Sequence, residues 1–156
     1  MIKSKKLSRF SEIEHSFFNK LGGKSNGIYK SLNCGLSSHD KKKNILKNLT
    51  LVKKKIKSGL NKIVLLNQIH SNKFFYIDKT SKLNHKKFTG DALVTNKSNT
   101  PIAVLTADCA PILIFDNNKK TIAAIHAGWK GAYNEIIKKV IKFMIKKGSS
   151  AKDIIA

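Results

Sequence analysis

Closely paired cysteines, an apolar run of membrane length and any repeat or low-complexity linker are missing from this 156-residue chain, and arginine is almost so. Each absence narrows the field. Cys34 and Cys109 stand far apart with no CxxC pair, so no disulfide framework or closely spaced zinc-binding motif is encoded. The opening MIKSKKLSRFSEIEH is basic but has no apolar core, so it does not read as a signal peptide. Both thiols are therefore expected to be reduced, in the cytoplasm. The densest apolar segment, PIAVLTADCAPILIF, is interrupted by Asp108 and Pro111, which leaves no candidate membrane span. Arginine is nearly absent: of 31 basic residues only Arg9 is one, against 9 acidic residues and a formal net charge of +22. Bidentate phosphate and base readers favour arginine, and single-strand platforms need aromatics among the charges. Lysine clusters such as Lys41, Lys42 and Lys43 instead read as solvated faces. A lysine-rich nucleic-acid-binding module is kept as the non-enzymatic alternative.

What is present suffices for a core. Hydrophobic residues make up 41% of the chain, and its length fits one domain over residues 1–156. HSFFNKLGGKSNGIYKSLNCG reads as short extended pieces joined by glycine turns. Ile45, Leu49, Val52 and Ile56 then recur at helical spacing, with Ser38 or Asp40 as caps and Gly59 beyond. NKIVLLNQIHSNKFFYI reads as two strands broken near His70, and a lysine-rich loop leads to a turn at Gly90-Asp91 and the strand ALVT. TPIAVLTADC and PILIF are expected to be extended, DNNKK a hairpin turn, TIAAIH its returning strand and AGWKG a corner into a helix. That helix carries Ile136, Ile137, Val140, Ile141, Met144 and Ile145 on its apolar face, and KDIIA closes as a strand. The class is α+β: hairpin-rich mixed sheets covered by helices.

One stretch, LTADCAPILIFDNNKKTIAAIHAGWKGAYNE, holds the chemistry. With Asn118 as the hairpin centre, Cys109 lies nine residues before it and His126 eight after, which brings thiol and imidazole to the same end. His70 closes another strand. Two imidazoles and one thiolate suit zinc with its fourth position open. A cysteine nucleophile with His126 as base, or an ordinary hairpin with incidental polar residues, is the competing reading.

NQIHS, GDALVT, TADCAPIL and IHAGWKGA, in this order, resemble the motifs of the YfiH-type laccase-domain family, also called multicopper polyphenol oxidase-like. HSFFNKLGGKSNGIYKSLNCG is similar to that family's opening block. The resemblance implies a layered fold like that of a deamidating bacterial toxin, and zinc on His70, Cys109 and His126. It also implies purine nucleoside chemistry: phosphorolysis of adenosine, inosine and methylthioadenosine, and hydrolytic deamination of adenosine. Asp108 and Asp91 are then candidates to move protons beside the metal, and Asn33, Asp91, Trp129 and Lys130 to contact nucleoside and phosphate. Gly128 to Gly131 would offer backbone N–H groups to an anion. Lys130 stands where the family commonly has arginine, and Asn48-Leu49 where it often has asparagine-arginine. Copper is the weaker alternative to zinc, because a blue-copper site wants an axial ligand such as methionine, and Met1 and Met144 are poorly placed. The resemblance further implies that the chain is the N-terminal portion of the family domain and a weak catalyst alone.

Overall fold

The computed structural model describes residues 1–57, 59, 62–81 and 88–156. Asn61, in the expected first strand, and most of the lysine-rich loop before GDALVT lie outside the described residues. The chain divides into two compact units, Met1–Ile63 and Val64–Ala156.

The first unit is mostly loop around one helix, α1 (Lys42–Lys55). The glycine-rich block forms a single 3-10 turn at Gly27–Tyr29 and an isolated bridge between Ile2 and Phe17 instead of strands. Helix α1 lacks the expected cap. Its N-cap is Lys41, with no side-chain bond, because Ser38 is engaged with Gly35 and Asn33 and Asp40 with Asn33 and the Lys41 N–H. Ile45 and Asn48 are its buried residues. Asn48 is a hub: its Oδ1 accepts the Lys24 N–H at 2.7 Å. Its Nδ2 donates to Ser25 Oγ, Ser31 O and Asn33 O at 2.9, 3.2 and 2.7 Å.

The second unit is a five-stranded mixed sheet. Its strands are β2 (Phe74–Ile77), β4 (Ala92–Thr95), β5 (Ala110–Asp116), β6 (Thr121–Ala127) and β7 (Ile154–Ile155), in the order β2-β4-β6-β5-β7. Two further short strands, β1 (Leu66–Asn67) and β3 (Phe88–Thr89), pair in parallel. Strands β2 and β4 are also parallel, while β4–β6, β6–β5 and β5–β7 are antiparallel. The mixed α+β architecture is the one expected. The β5–β6 hairpin pairs Asp116 with Thr121 and Ala110 with Ala127 around the DNNKK turn. TPIAVLTADC departs from expectation, since only Ile102 makes a bridge, to Val64. The approach to β5 then turns through Asp108 at φ +81°.

Strand side chains alternate between faces, and this splits the apolar residues into two clusters. Ala92, Val94, Ile114, Ala123 and Ile125 meet α3 (Ile136–Lys146) through Ile136, Val140 and Met144. Leu93 and Ile77 look the other way and meet Leu66. The expected single C-terminal helix is two: α2 (Trp129–Tyr133) and α3, parted at Glu135 with φ +58°. Ile145 belongs to the solvent side, being 43% exposed, because it sits off the Ile136–Val140–Met144 stripe.

Candidate metal centre

Three segments of the second unit deliver the site. His70 lies in the loop between β1 and β2, Cys109 immediately before β5, and His126 near the end of β6. The hairpin register sets Pro111 opposite His126, so the thiol preceding Pro111 arrives at the imidazole end of the ribbon. The donor atoms of His70, Cys109 and His126 all lie within 4.8 Å of one another. Cys109 Sγ is 3.7 Å from His70 Nε2. The two imidazoles meet edge to face, with centroids 4.8 Å apart. Metal bonds of about 2.0–2.3 Å at tetrahedral angles separate donors by roughly 3.3–3.7 Å; the Cys109–His70 spacing already matches, and pairs as wide as 4.8 Å must close by about 1 Å to share one ion. The cluster is graded in access: His70 is exposed, Cys109 half-buried and His126 3% exposed.

Beneath it lies Asp91, which is 0% exposed. Asp91, Leu93 and Thr95 share one face by the two-residue period, and the β4–β6 register carries that face to Ala124 and His126. His126 Nδ1 donates to Asp91 Oδ1 at 2.8 Å, and the His126 N–H donates to the Asp91 carbonyl at 2.7 Å. The Ile69 and His70 N–H groups reach Oδ1 at 3.2 and 3.0 Å. The Ser71 N–H and hydroxyl reach Oδ2 at 2.6 and 2.7 Å. Burial raises the Asp91 pKa, but the bonds from His126 and Ser71 outweigh it and hold the carboxyl below its ordinary value. With Nδ1 committed, His126 keeps Nε2 as its free donor atom. Asp91 was expected to face substrate or pass protons; full burial and saturated oxygens exclude direct contact.

Gly128 matters for a steric reason. A Cβ there would lie 2.6 Å from His70 Cδ2, 3.3 Å from Cys109 Sγ and 3.4 Å from His126 Cε1. A Cβ on Gly131 would meet Ser71 O at 2.8 Å. Both glycines therefore permit close packing of α2 on the loop that carries His70 and Ser71, a role separate from offering N–H groups to an anion. Trp129 is 73% exposed on the same short helix, and Lys130 Nζ lies 5.3 Å over its ring. Asp108 is exposed next to Cys109. Asn33 belongs to the first unit, where its amide bonds Ser38, Asp40 and the Gly35 N–H. Those bonds make it a loop organiser. Cys34 is buried, which pushes its thiol up to about 11, and both cysteines are free. Met144 is buried under α3 on the opposite sheet face, away from the donors.

A family described as multi-copper polyphenol oxidoreductase laccase matches residues 14–156. The chain belongs to this family. A purine nucleoside phosphorylase of Bacteroides thetaiotaomicron is 32% identical across all of this chain and 60% of its own length. Purine nucleoside phosphorylase Cgl2154/cg2365 of Corynebacterium glutamicum is 36% identical over 88% of the chain and 56% of its own. The chain thus spans little more than half of these family members. Among solved structures, the Bacillus licheniformis protein YfiH superposes with TM-score 0.80 at 27% identity, over 86% of this chain and 53% of that one. YlmD of Geobacillus stearothermophilus does so with TM-score 0.77 at 25% identity, over the same shares. Among the described residues no helix is long and apolar enough to cross a membrane.

Proposed function

We propose that this chain carries the metal centre of a zinc-dependent purine nucleoside enzyme. Its reactions are phosphorolysis of adenosine, inosine and methylthioadenosine, and hydrolytic deamination of adenosine, in the cytoplasm. The observation that carries the reading is the convergence of His70, Cys109 and His126 within 4.8 Å, from three separate segments. The names of the family's relatives support the substrate class. Two nitrogens and a thiolate are a zinc-type donor set, and three protein ligands leave one position open. Copper is the lesser fit, since Met144 lies in the helix-facing core and offers no axial sulfur.

His70, Cys109 and His126 would hold the zinc, which would supply Lewis acidity to the reaction. The chain's own groups do the rest. Asp108, exposed beside Cys109, takes and returns protons at the rim. Trp129 offers its free face to a purine, the other being covered by the Lys130 ammonium, which adds a point charge for phosphate. In phosphorolysis the ribose C1′–N bond breaks, a C1′–O bond to phosphate forms and the base leaves with a proton. In deamination water replaces the exocyclic amine, which leaves as ammonia.

Purified protein should contain about one zinc per chain, and phosphate-dependent release of purine base should stop on chelation and return with zinc. A cysteine hydrolase is the second reading, because the Asp91–His126 pair would also orient a base for Cys109. His70, 3.7 Å from the thiol, separates them. A cysteine enzyme should tolerate His70→Ala and chelators and should form an adduct on Cys109. That result would overturn the zinc reading.

A further inference from the structure

The centre's geometry is controlled from below. Ile69, His70 and Ser71 turn their successive N–H groups onto the Asp91 carboxylate, with His70 itself held at φ +56°. Such a convergence of consecutive N–H groups is an anion nest, here filled by a side chain of the same unit. The left-handed backbone at His70 is uncommon for a residue with a Cβ, so the loop needs a partner to hold it. The same carboxylate accepts from His126 Nδ1. One buried group therefore holds the backbone of one donor residue, His70, and the ring of another, His126, while the third, Cys109, comes in on the hairpin.

We infer that Asp91 is a positioning residue that sets both the His70 loop and the His126 tautomer, so that the two imidazole donors are aimed before any metal arrives. The inference rests on the zinc reading for its functional meaning but makes a claim about the metal-free protein as well.

The chemistry of the cradle sharpens the claim. Among the described residues, every group bonded to the two carboxylate oxygens is a donor: three loop N–H groups, the Ser71 hydroxyl and the His126 ring. An amide in this place has one acceptor, not two. In Asp91→Asn, the NH2 must face either the Ser71 N–H or His126. Facing Ser71, it leaves that N–H unpaired. Facing His126, it forces Nδ1 to accept and moves the ring hydrogen to Nε2, the atom that should bind metal. Either arrangement damages the site while conserving shape and volume.

Nitrogen-15 NMR of the histidine rings in metal-free wild-type protein should show His126 with its hydrogen on Nδ1 and Nε2 bare. Competition of Zn2+ against a chromophoric chelator should show Asp91→Asn weakened by about 10–100-fold, the usual range for a lost ligand-orienting partner. Ser71→Ala, which removes one of the clamp's donors and leaves the others, should weaken zinc roughly threefold. If Asp91→Asn does not fold, Ser71→Ala and the wild-type ring spectrum decide. A wild-type His126 with its hydrogen on Nε2, or variants that bind zinc as tightly as wild type, would overturn the inference. Wild-type protein without zinc affinity would instead sink the zinc reading, with the ring spectrum still judging the clamp.

Discussion

Asn48 and Asp91 are both completely buried, one in each unit, and they are satisfied in opposite ways. Asn48 meets a mixed set: one N–H donor and three acceptors, two of them loop carbonyls. Its neutral amide matches that set with one acceptor and two donors, and it ties loops 24–33 onto α1. Asp91 meets donors alone, which only a carboxylate can serve on both oxygens. A buried neutral amide organises loops at modest cost; a buried charge costs more and persists where several donors converge on it. In this chain those donors belong to the loop that carries His70 and to the imidazole of His126, two of the three candidate ligands. The first hub therefore holds structure, and the second holds a site. The cysteines repeat the contrast: Cys34 is buried with its thiol raised to about 11, whereas Cys109 is half-exposed beside His70.

The comparison breaks most visibly if the hubs are exchanged in kind. Asn48→Asp puts a carboxylate against Ser31 O and Asn33 O, and should cost roughly 3–4 kcal/mol at pH 7. Only the protonated acid can donate there, so its folded pKa should rise above the unfolded ~3.9. The deficit relative to wild type should then be small below pH ~4 and grow as pH rises through the folded value. Denaturant titrations of both proteins at several pH values check this, and a pH-independent deficit would show that carbonyl contacts do not decide it.

A smaller effect is expected at the wedge between α2 and the ligands. Gly128→Ala places a Cβ 2.6 Å from His70 Cδ2, which must move. Zinc affinity should fall about 10–100-fold, roughly 1.4–2.7 kcal/mol, with the fold retained. Calorimetric titration with unchanged affinity would mean the centre is looser than its packing implies.

The thiols give the subtlest test. At pH 8 a thiol at about 11 is only roughly one part in a thousand thiolate, so Cys34 should resist alkylation until unfolding. Cys109 should react in metal-free protein and be shielded by zinc, as read by peptide mapping. Because the Cys34 value is raised, its stability contribution is complete below an unfolded pKa of ~8.5 and is lost as pH climbs toward about 11. Cys34→Ala should remove that alkaline decline.

Local pattern carried much of this into the sequence. The β5–β6 hairpin and α3 are contiguous apolar periods with a polar turn between strands, so counting from Asn118 placed Cys109 and His126 together. Parallel pairing of β2 with β4 and of β1 with β3 joins distant segments, and nothing local announces it. Asp91 was read as a turn residue because its face is set only once β4 pairs with β6. Asn48 was legible in principle: it falls three residues after Ile45 and four before Val52, on the buried stripe of α1. Gly128 carried no signal of its own, since its φ of −68° suits any residue and only the three ligands around it exclude a side chain.

The central claim is that His70, Cys109 and His126 share one ion. X-ray absorption at the zinc edge of the loaded protein tests it directly. The account predicts about one zinc per chain in a shell of two imidazole nitrogens, one sulfur and one light atom, with the sulfur lost in Cys109→Ala. A shell without sulfur, or protein that takes up no zinc, would contradict it.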